Sequence, residues 1–145
     1  MGASPFPLPK VPDTFWAYFA GLFDGEGSLG MYSNGPRLSI SNTHRGVLDE
    51  VNEVLGFGRV WAVQNVAPDR HLQCFQYDCG ARGMRLLLPR LQPFLRVKAE
   101  RATLFLEYLG SIDPDNIKPV GPGELTRRAE IRESLRIRRS NDRGR

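Results

Sequence analysis

The sequence is poor in sulfur and in histidine: Cys74 and Cys79 are its two cysteines, and His44 and His71 its two histidines. Their spacing matches no zinc pattern, and two cysteines do not make a disulfide scaffold. A chain of 145 residues needs no such staple, because a domain of that size buries roughly 70% of the surface its unfolded chain exposes. A reduced, intracellular setting is therefore expected. Long apolar runs are also missing. None approaches the ~20 residues of a membrane span, so no membrane partner is expected. The stretch MGASPFPLPK has no charged start leading into an apolar core, which argues against a signal peptide. Phe6 stands where an N-myristoylation pattern requires Ser or Thr.

Negative charge is scarce toward the C-terminus. Residues 126–145 carry eight arginines against Glu130, Glu133 and Asp142, a net of +5, while the whole chain is at +4. The rest of the chain is close to neutral, so the imbalance belongs to the tail and suggests an anionic partner there.

Proline punctuation makes residues 1–13 an extended arm. A helix, TFWAYFAGLFDG, follows, with Asp13 or Thr14 as its expected cap. SLGMYSNGPRLSISN reads as a hairpin turning at Asn34-Gly35. GVLDEVNEVLG has helical periodicity and a terminal glycine. GRVWAVQN and HLQCFQYDCG read as a second hairpin with a polar loop around Pro68. ARGMRLLLPRLQPFL is a helix interrupted by Pro89 and Pro93, and KAERATLFLEYLG is an amphipathic helix. After a connecting loop, ELTRRAEIRESLRIRR is a charged helix with Leu125, Ala129, Ile131 and Leu135 as its apolar stripe. The expected architecture is α+β in the order αββαββα, with residues 14–110 as core and 111–145 as a loop and basic C-terminal helix. Two hairpins supply one antiparallel sheet with helices on one face. The other face collects Arg37, Ser39, Ser41, Arg59, Trp61, Gln76 and Asp78. Such a face suits solvent, or base edges in a DNA groove.

The stretch FAGLFDGEGSLGMY, residues 19–32, concentrates the chemistry. Ala17, Gly21 and Gly25 fall at i, i+4 and i+8, a stripe of small side chains that lets another helix approach closely. Glycine costs a helix about 1 kcal/mol relative to alanine, so close packing is needed to offset it. The chain has no second copy of the stripe, which points to the same helix of another subunit across a two-fold axis. Asp24 and Glu26 lie at the C-terminal end of the helix, where the macrodipole disfavours acids. One explanation is an acidic turn, with Gly25 and Gly27 supplying unusual backbone angles. The other is a hard divalent cation bound by a carboxylate and helix-end carbonyls, in the manner used for phosphodiester hydrolysis.

FAGLFDGEG resembles the signature of the LAGLIDADG homing endonucleases, with Phe19 at the first Leu, Phe23 for Ile, Gly25 for Ala and Glu26 for the final Asp. LSISNTHRGVLDEVNEVLGFGRV and LQPFLRVKAERATLFLEYL look like later segments of the same family. One motif, not two, points to the homodimeric branch. The resemblance implies a saddle-shaped sheet on the major groove of duplex DNA, and hydrolysis with Mg²⁺ (Ca²⁺ or Mn²⁺ substituting in binding or cleavage). A homodimer would cut a long pseudo-palindromic site and leave 3′ overhangs.

It also implies roles. Glu26 and the Gly25 carbonyl would bind metal, Asn42 would position the attacking water, and Lys98 would offset developing charge. Asp24 would hold the turn, and His44 or Arg45 would line the solvent pocket. For DNA contact the resemblance, with strand alternation, selects Tyr32, Asn34, Arg37, Ser39, Ser41, Arg59, Trp61, Gln76 and Asp78. Arg37 and Arg59 suit guanine, Asn34 and Gln76 adenine, and Asp78 cytosine. The alternatives are an RNA maturase or a non-catalytic DNA-binding protein on the same fold, and a dimerising domain unrelated to nucleic acid.

Overall fold

The computed structural model describes residues 8–112 and 122–143; the N-terminal part of the arm and most of the 111–121 loop lie outside them. The first helix, α1, runs Asp13–Glu26. Trp16, Phe19, Ala20 and Phe23 are buried, the i, i+3, i+4, i+7 face of a helix lying on a core. Burying Phe19 and Phe23 contributes about 1.5–3 kcal/mol each. Neither Asp13 nor Thr14 caps α1. Pro12 holds that position without a side-chain bond, and its carbonyl accepts from Phe15 N–H at 3.0 Å. Asp13 is instead the first helical residue, where its charge suits the positive end of the helix.

Strand β1, Gly27–Tyr32, follows α1 with no intervening loop. Gly27 has an ordinary extended backbone. A Cβ there would collide with the ring and carbonyl of Phe23. Space, not backbone angle, therefore demands this glycine, and Gly25 is likewise an ordinary helical residue. Strand β2 is Gly35–Asn42, with Tyr32 paired to Gly35. The turn is thus Ser33-Asn34, one residue before the expected Asn34-Gly35. Gly35, at φ 114, closes the hairpin as the left-handed residue that follows a tight turn.

Helix α2, Arg45–Leu55, ends at the left-handed Gly56. Strands β3, Arg59–Ala62, and β4, Phe75–Cys79, are shorter than the sequence pattern suggests. One further bond, Val63 N–H to the Cys74 carbonyl at 2.9 Å, extends their ladder. Helix α3, Ala81–Leu91, carries Pro89 on its exposed side without ending there, and a 3₁₀ turn, Gln92–Phe94, follows. Helix α4 spans Ala99–Gly110 and α5 spans Pro122–Arg143.

The four strands form one antiparallel sheet in the order β1-β2-β4-β3. The parity carrying Leu29, Leu38, Ile40, Tyr77 and Cys79 is buried against the helices. Helix α5 lies along the edge strand β1 and α4. Its buried stripe is Ile131 and Leu135, flanked by half-buried Arg128 and Arg132, while Leu125 and Ala129 are exposed. Two of the four expected stripe residues therefore face solvent. Guanidinium groups take up backbone carbonyls along this seam. Arg101 donates to the Leu29 carbonyl at 2.7 and 3.0 Å and to that of Leu135 at 3.4 Å, and Arg132 donates to the Tyr32 carbonyl at 3.2 Å. An exposed sheet edge is a row of unpaired backbone groups, and covering it in this way blunts it.

Candidate catalytic centre and nucleic-acid interface

The C-terminal end of α1 meets the loop that leads into α4. The two Asp24 carboxylate oxygens accept one backbone N–H each, from Arg96 at 2.9 Å and Lys98 at 3.0 Å. The Lys98 ammonium returns to the Asp24 carbonyl at 2.6 Å and stands 5.8 Å from the centre of the Phe23 ring. This clasp accounts for the misplaced acid. Asp24 is at the negative end of α1, but it also faces the entry to α4, accepting the N–H groups of Arg96 and of the N-cap Lys98, close to the positive end of that helix. The cation that α1 lacks in its own last turn comes from Lys98. Asp24 thus holds a distant loop and not its own turn.

Glu26 and Gly25 are exposed beyond this clasp. Glu26, the last residue of α1, precedes Gly27, which pairs with Ile40 two residues before Asn42 at the end of β2. Asn42 Oδ1 accepts from His44 N–H at 2.8 Å, which leaves the NH₂ end of the carboxamide for other partners. His44 is the N-cap of α2, its Nδ1 accepting from Val47 N–H at 3.2 Å. Arg45 pairs with Asp49 at 3.3 Å and lies 5.3 Å from the centre of the Phe75 ring. The local structure therefore gives both His44 and Arg45 a role within the chain and does not choose between them.

Ala17, Gly21 and Gly25 share an exposed face of α1. A Cβ at Gly21 or Gly25 would meet nothing within 4 Å. Ala17 and Gly21 open onto a groove of about 350 Å³ lined also by Asp24, Pro93, Phe94, Leu95 and Arg96. Packing among the described residues supplies no reason for either glycine.

The outward sheet face gathers Tyr32, Arg37, Ser39, Ser41, Arg59, Trp61, Gln76 and Asp78 on one parity. Ser39 sits across from Asp78, Ser41 from Gln76, Arg59 from Asp78 and Trp61 from Gln76. Asn34 is at the exposed hairpin tip. The Tyr32 ring lies over Gly30, where a Cβ would strike it. Ser41 Oγ donates to Gln76 Oε1 at 3.3 Å. Asp78, at 4% exposure, is buried. It accepts from Arg59 Nε at 3.1 Å and Trp61 Nε1 at 2.8 Å, with Arg37 at 3.9 Å. The expectation that Asp78 accepts from cytosine finds no support in this geometry, because its carboxylate is covered and committed to its neighbours.

Solved structures share this fold. The homing endonuclease I-CvuI, in complex with its target in the presence of calcium, matches with a TM-score of 0.65 at 19% identity, over 86% of this chain and 82% of that one. The archaeal intron-encoded homing endonuclease I-Vdi141I, complexed with DNA, matches at 0.63 and 22% identity, over 85% and 82%. The LAGLIDADG meganuclease I-AabMI, bound to uncleaved DNA, matches at 0.61 and 17% identity, over 86% of this chain but 45% of that one. The fold is that of the LAGLIDADG homing endonucleases. No family model and no curated protein matches the sequence.

Within the LAGLIDADG fold, FAGLFDGEG is the last half of α1 and its entry into β1. Sequence reasoning missed Ser28, which is exposed on the outward face across from Ser39; continuing the β1 alternation back from Tyr32 would have found it. It also missed Arg101 and Arg132, which brace β1 from behind, and no local signal marks them. The cysteines take no part in the site. Burial pushes the Cys79 thiol up to about 12, so it is a poor nucleophile at neutral pH.

Proposed function

We propose that this chain is a sequence-specific double-strand DNA endonuclease. It acts as a homodimer on a long pseudo-palindromic site, depends on a divalent metal, and leaves 3′ overhangs. The observation that carries this reading is a convergence at the end of α1. Exposed Glu26, a helix face of small residues that lets a partner come close, and the strand that opens the sheet all meet there. Neighbours of the same fold are homing endonucleases bound to DNA.

The two open glycines support the homodimer. Each costs α1 about 1 kcal/mol in helix propensity, and neither is required by packing among the described residues, which supports a compensating contact with a second copy. I-AabMI supports it too, since this chain matches about half of that longer one. Two copies related by a two-fold axis through Ala17, Gly21 and Gly25 would bring their Glu26 carboxylates together.

The donor set fits a hard divalent cation. Among the described residues no three His, Cys, Asp or Glu side chains gather into a ready-made site. Mg²⁺ needs no such cage, taking one or two carboxylates, waters and substrate phosphates. Glu26 and the Gly25 carbonyl would hold it. When bound, it supplies charge neutralisation at the scissile phosphate and a more acidic water. The chain's own groups do the rest. The NH₂ end of Asn42 orients the water oxygen, and the Lys98 ammonium, anchored two residues before Glu26, faces charge developing on the phosphate. The outward sheet face reads base edges while arginines of α5 contact phosphates.

Glu26→Gln tests this directly. The substituted protein should bind target duplex in Ca²⁺ as the wild type does and fail to cut it in Mg²⁺. Cutting at the wild-type rate would remove Glu26 from the chemistry. Wild-type protein that promotes intron splicing but leaves duplex intact would establish the maturase instead.

A further inference from the structure

Asp78 is a buried charge on a face otherwise open to solvent. It is the penultimate residue of β4, flanked by Ser39 of β2 and Arg59 of β3. A carboxylate removed from water needs partners for its charge and its lone pairs. Here they come from two neighbouring strands. Arg59 Nε donates to Oδ1 at 3.1 Å, and Arg37 Nη1 stands 3.9 Å from the same oxygen. Trp61 Nε1 donates to Oδ2 at 2.8 Å, and the Arg59 guanidinium lies 5.3 Å from the centre of the Trp61 ring.

The choice of atoms matters. Arg59 is held through Nε, with no hydrogen bond from its terminal nitrogens to Asp78, and its side chain is 63% exposed against 6% for Asp78. That end of arginine matches O6 and N7 of guanine. The carboxylate fixes the side chain from behind. Because one oxygen serves both arginines, moving either changes the field and the space at the other. Without the carboxylate, two guanidinium groups would face each other unscreened, and each would be free to swing to a phosphate.

We propose that Asp78 is a positioning residue for specificity, coupling Arg37 and Arg59 so that the bases they contact are read as one unit. This rests on the DNA-binding reading above. Coupled arginines are non-additive: changing both costs less, or more, than the two single changes combined. Asp78 also offsets one positive charge on the face, so its neutralisation should favour sequence-independent binding.

The test uses the full chain, Ca²⁺ in place of Mg²⁺, and a duplex obtained by randomised-site selection. Affinities are measured for Arg37→Ala, Arg59→Ala and the double variant, with Asp78 and again with Asp78→Asn. With Asp78 the double variant should depart from additivity by about fivefold or more, within the range found for residues sharing one partner. With Asp78→Asn the departure should vanish. Asp78→Asn alone should lose about tenfold in preference for the selected bases, on the scale of one bidentate base contact. Its affinity for unrelated duplex should instead hold or rise, with a steeper salt dependence.

A purely structural Asp78 would lower both affinities together, and that result overturns the proposal. Additivity in both backgrounds overturns it as well. Should Asp78→Asn fail to fold, Trp61→Phe removes the single bond to Oδ2 and keeps an aromatic ring. Broader preference at the same bases then supports the proposal, and an unchanged profile refutes it. Wild-type protein that binds no duplex would defeat the nuclease reading itself; wild-type binding with additive arginines defeats this inference alone.

Discussion

Replacing Asp24 separates its two contributions. Each carboxylate oxygen receives one backbone N–H, from Arg96 at 2.9 Å and from Lys98 at 3.0 Å. Hydrogen bonds to a charged group contribute about 1.5–3 kcal/mol each. The site is half-buried, so water can reach released N–H groups and the lower end of that range applies. Asp24→Asn keeps one accepting oxygen and turns an NH₂ toward the other N–H, a loss of about 1.5 kcal/mol. Asp24→Ala loses both bonds, about 3 kcal/mol, which for a domain this size lowers Tm by roughly 6–12 °C. The two variants should fall in that order in urea denaturation followed by tryptophan fluorescence, with an unchanged m value. Cleavage should suffer beyond what stability accounts for, because the Lys98 ammonium is positioned by the same clasp. Under conditions where both variants are folded, kcat should fall with little change in duplex affinity in Ca²⁺. An Asp24→Ala protein within about 0.5 kcal/mol of wild type, the range of an ordinary surface substitution, would show that the clasp does not hold the loop.

Gly21→Leu should shift sedimentation from dimer toward monomer while leaving monomer stability unchanged or higher. The position is open within the chain, and leucine is the better helix former; a dimer of wild-type strength would refute the helix-to-helix interface. In the folded protein at pH 8, iodoacetamide should modify the half-exposed Cys74 and spare Cys79, which becomes reactive only in denaturant; rapid native labelling of both would contradict its burial. Burial raises the Cys79 thiol from 9.0 to about 12, so the folded state holds this proton more tightly than the unfolded one. The associated stability is complete below about pH 9 and is lost as pH rises toward 12. Cys79→Ala should lose less stability over that interval than the wild type does.

The outward face was legible because strand side chains alternate with period two. Once Arg37, Ser39 and Ser41 share a parity, register carries the same face to Asp78, Gln76, Arg59 and Trp61. The turn at Ser33-Asn34 was one residue from where Asn-Gly suggests, yet the face was unaffected, because Leu38 and Ile40 fix which parity goes inward. What could not be read was how side chains spend their bonds. Asp78 and Gln76 look alike in the strand pattern, and only their neighbours show that one is covered by three side chains and the other half-exposed with a single bond from Ser41. Arg101 lies 72 residues from the Leu29 carbonyl it serves. No periodicity links two such positions, and an arginine on an amphipathic helix is usually solvated.

The end of α1 shows why local rules mislead at such a site. Judged by its own helix, Asp24 is unfavourable, and the last turn lacks the expected cation. Both anomalies disappear when the loop into α4 is placed, since the Arg96 and Lys98 N–H groups satisfy Asp24 and the Lys98 ammonium supplies the cation α1 is missing. Asp24 is therefore satisfied within the chain, and folding accounts for its place. Glu26 is different. It is exposed, it receives none of the side-chain hydrogen bonds or ion pairs found among the described residues, and it follows a glycine that packing among those residues does not require. Of the two acids in DGEG, Glu26 is thus the one whose position is unexplained by folding. A group that folding does not explain, at the end of a helix face shaped for close approach, is where function has to be sought.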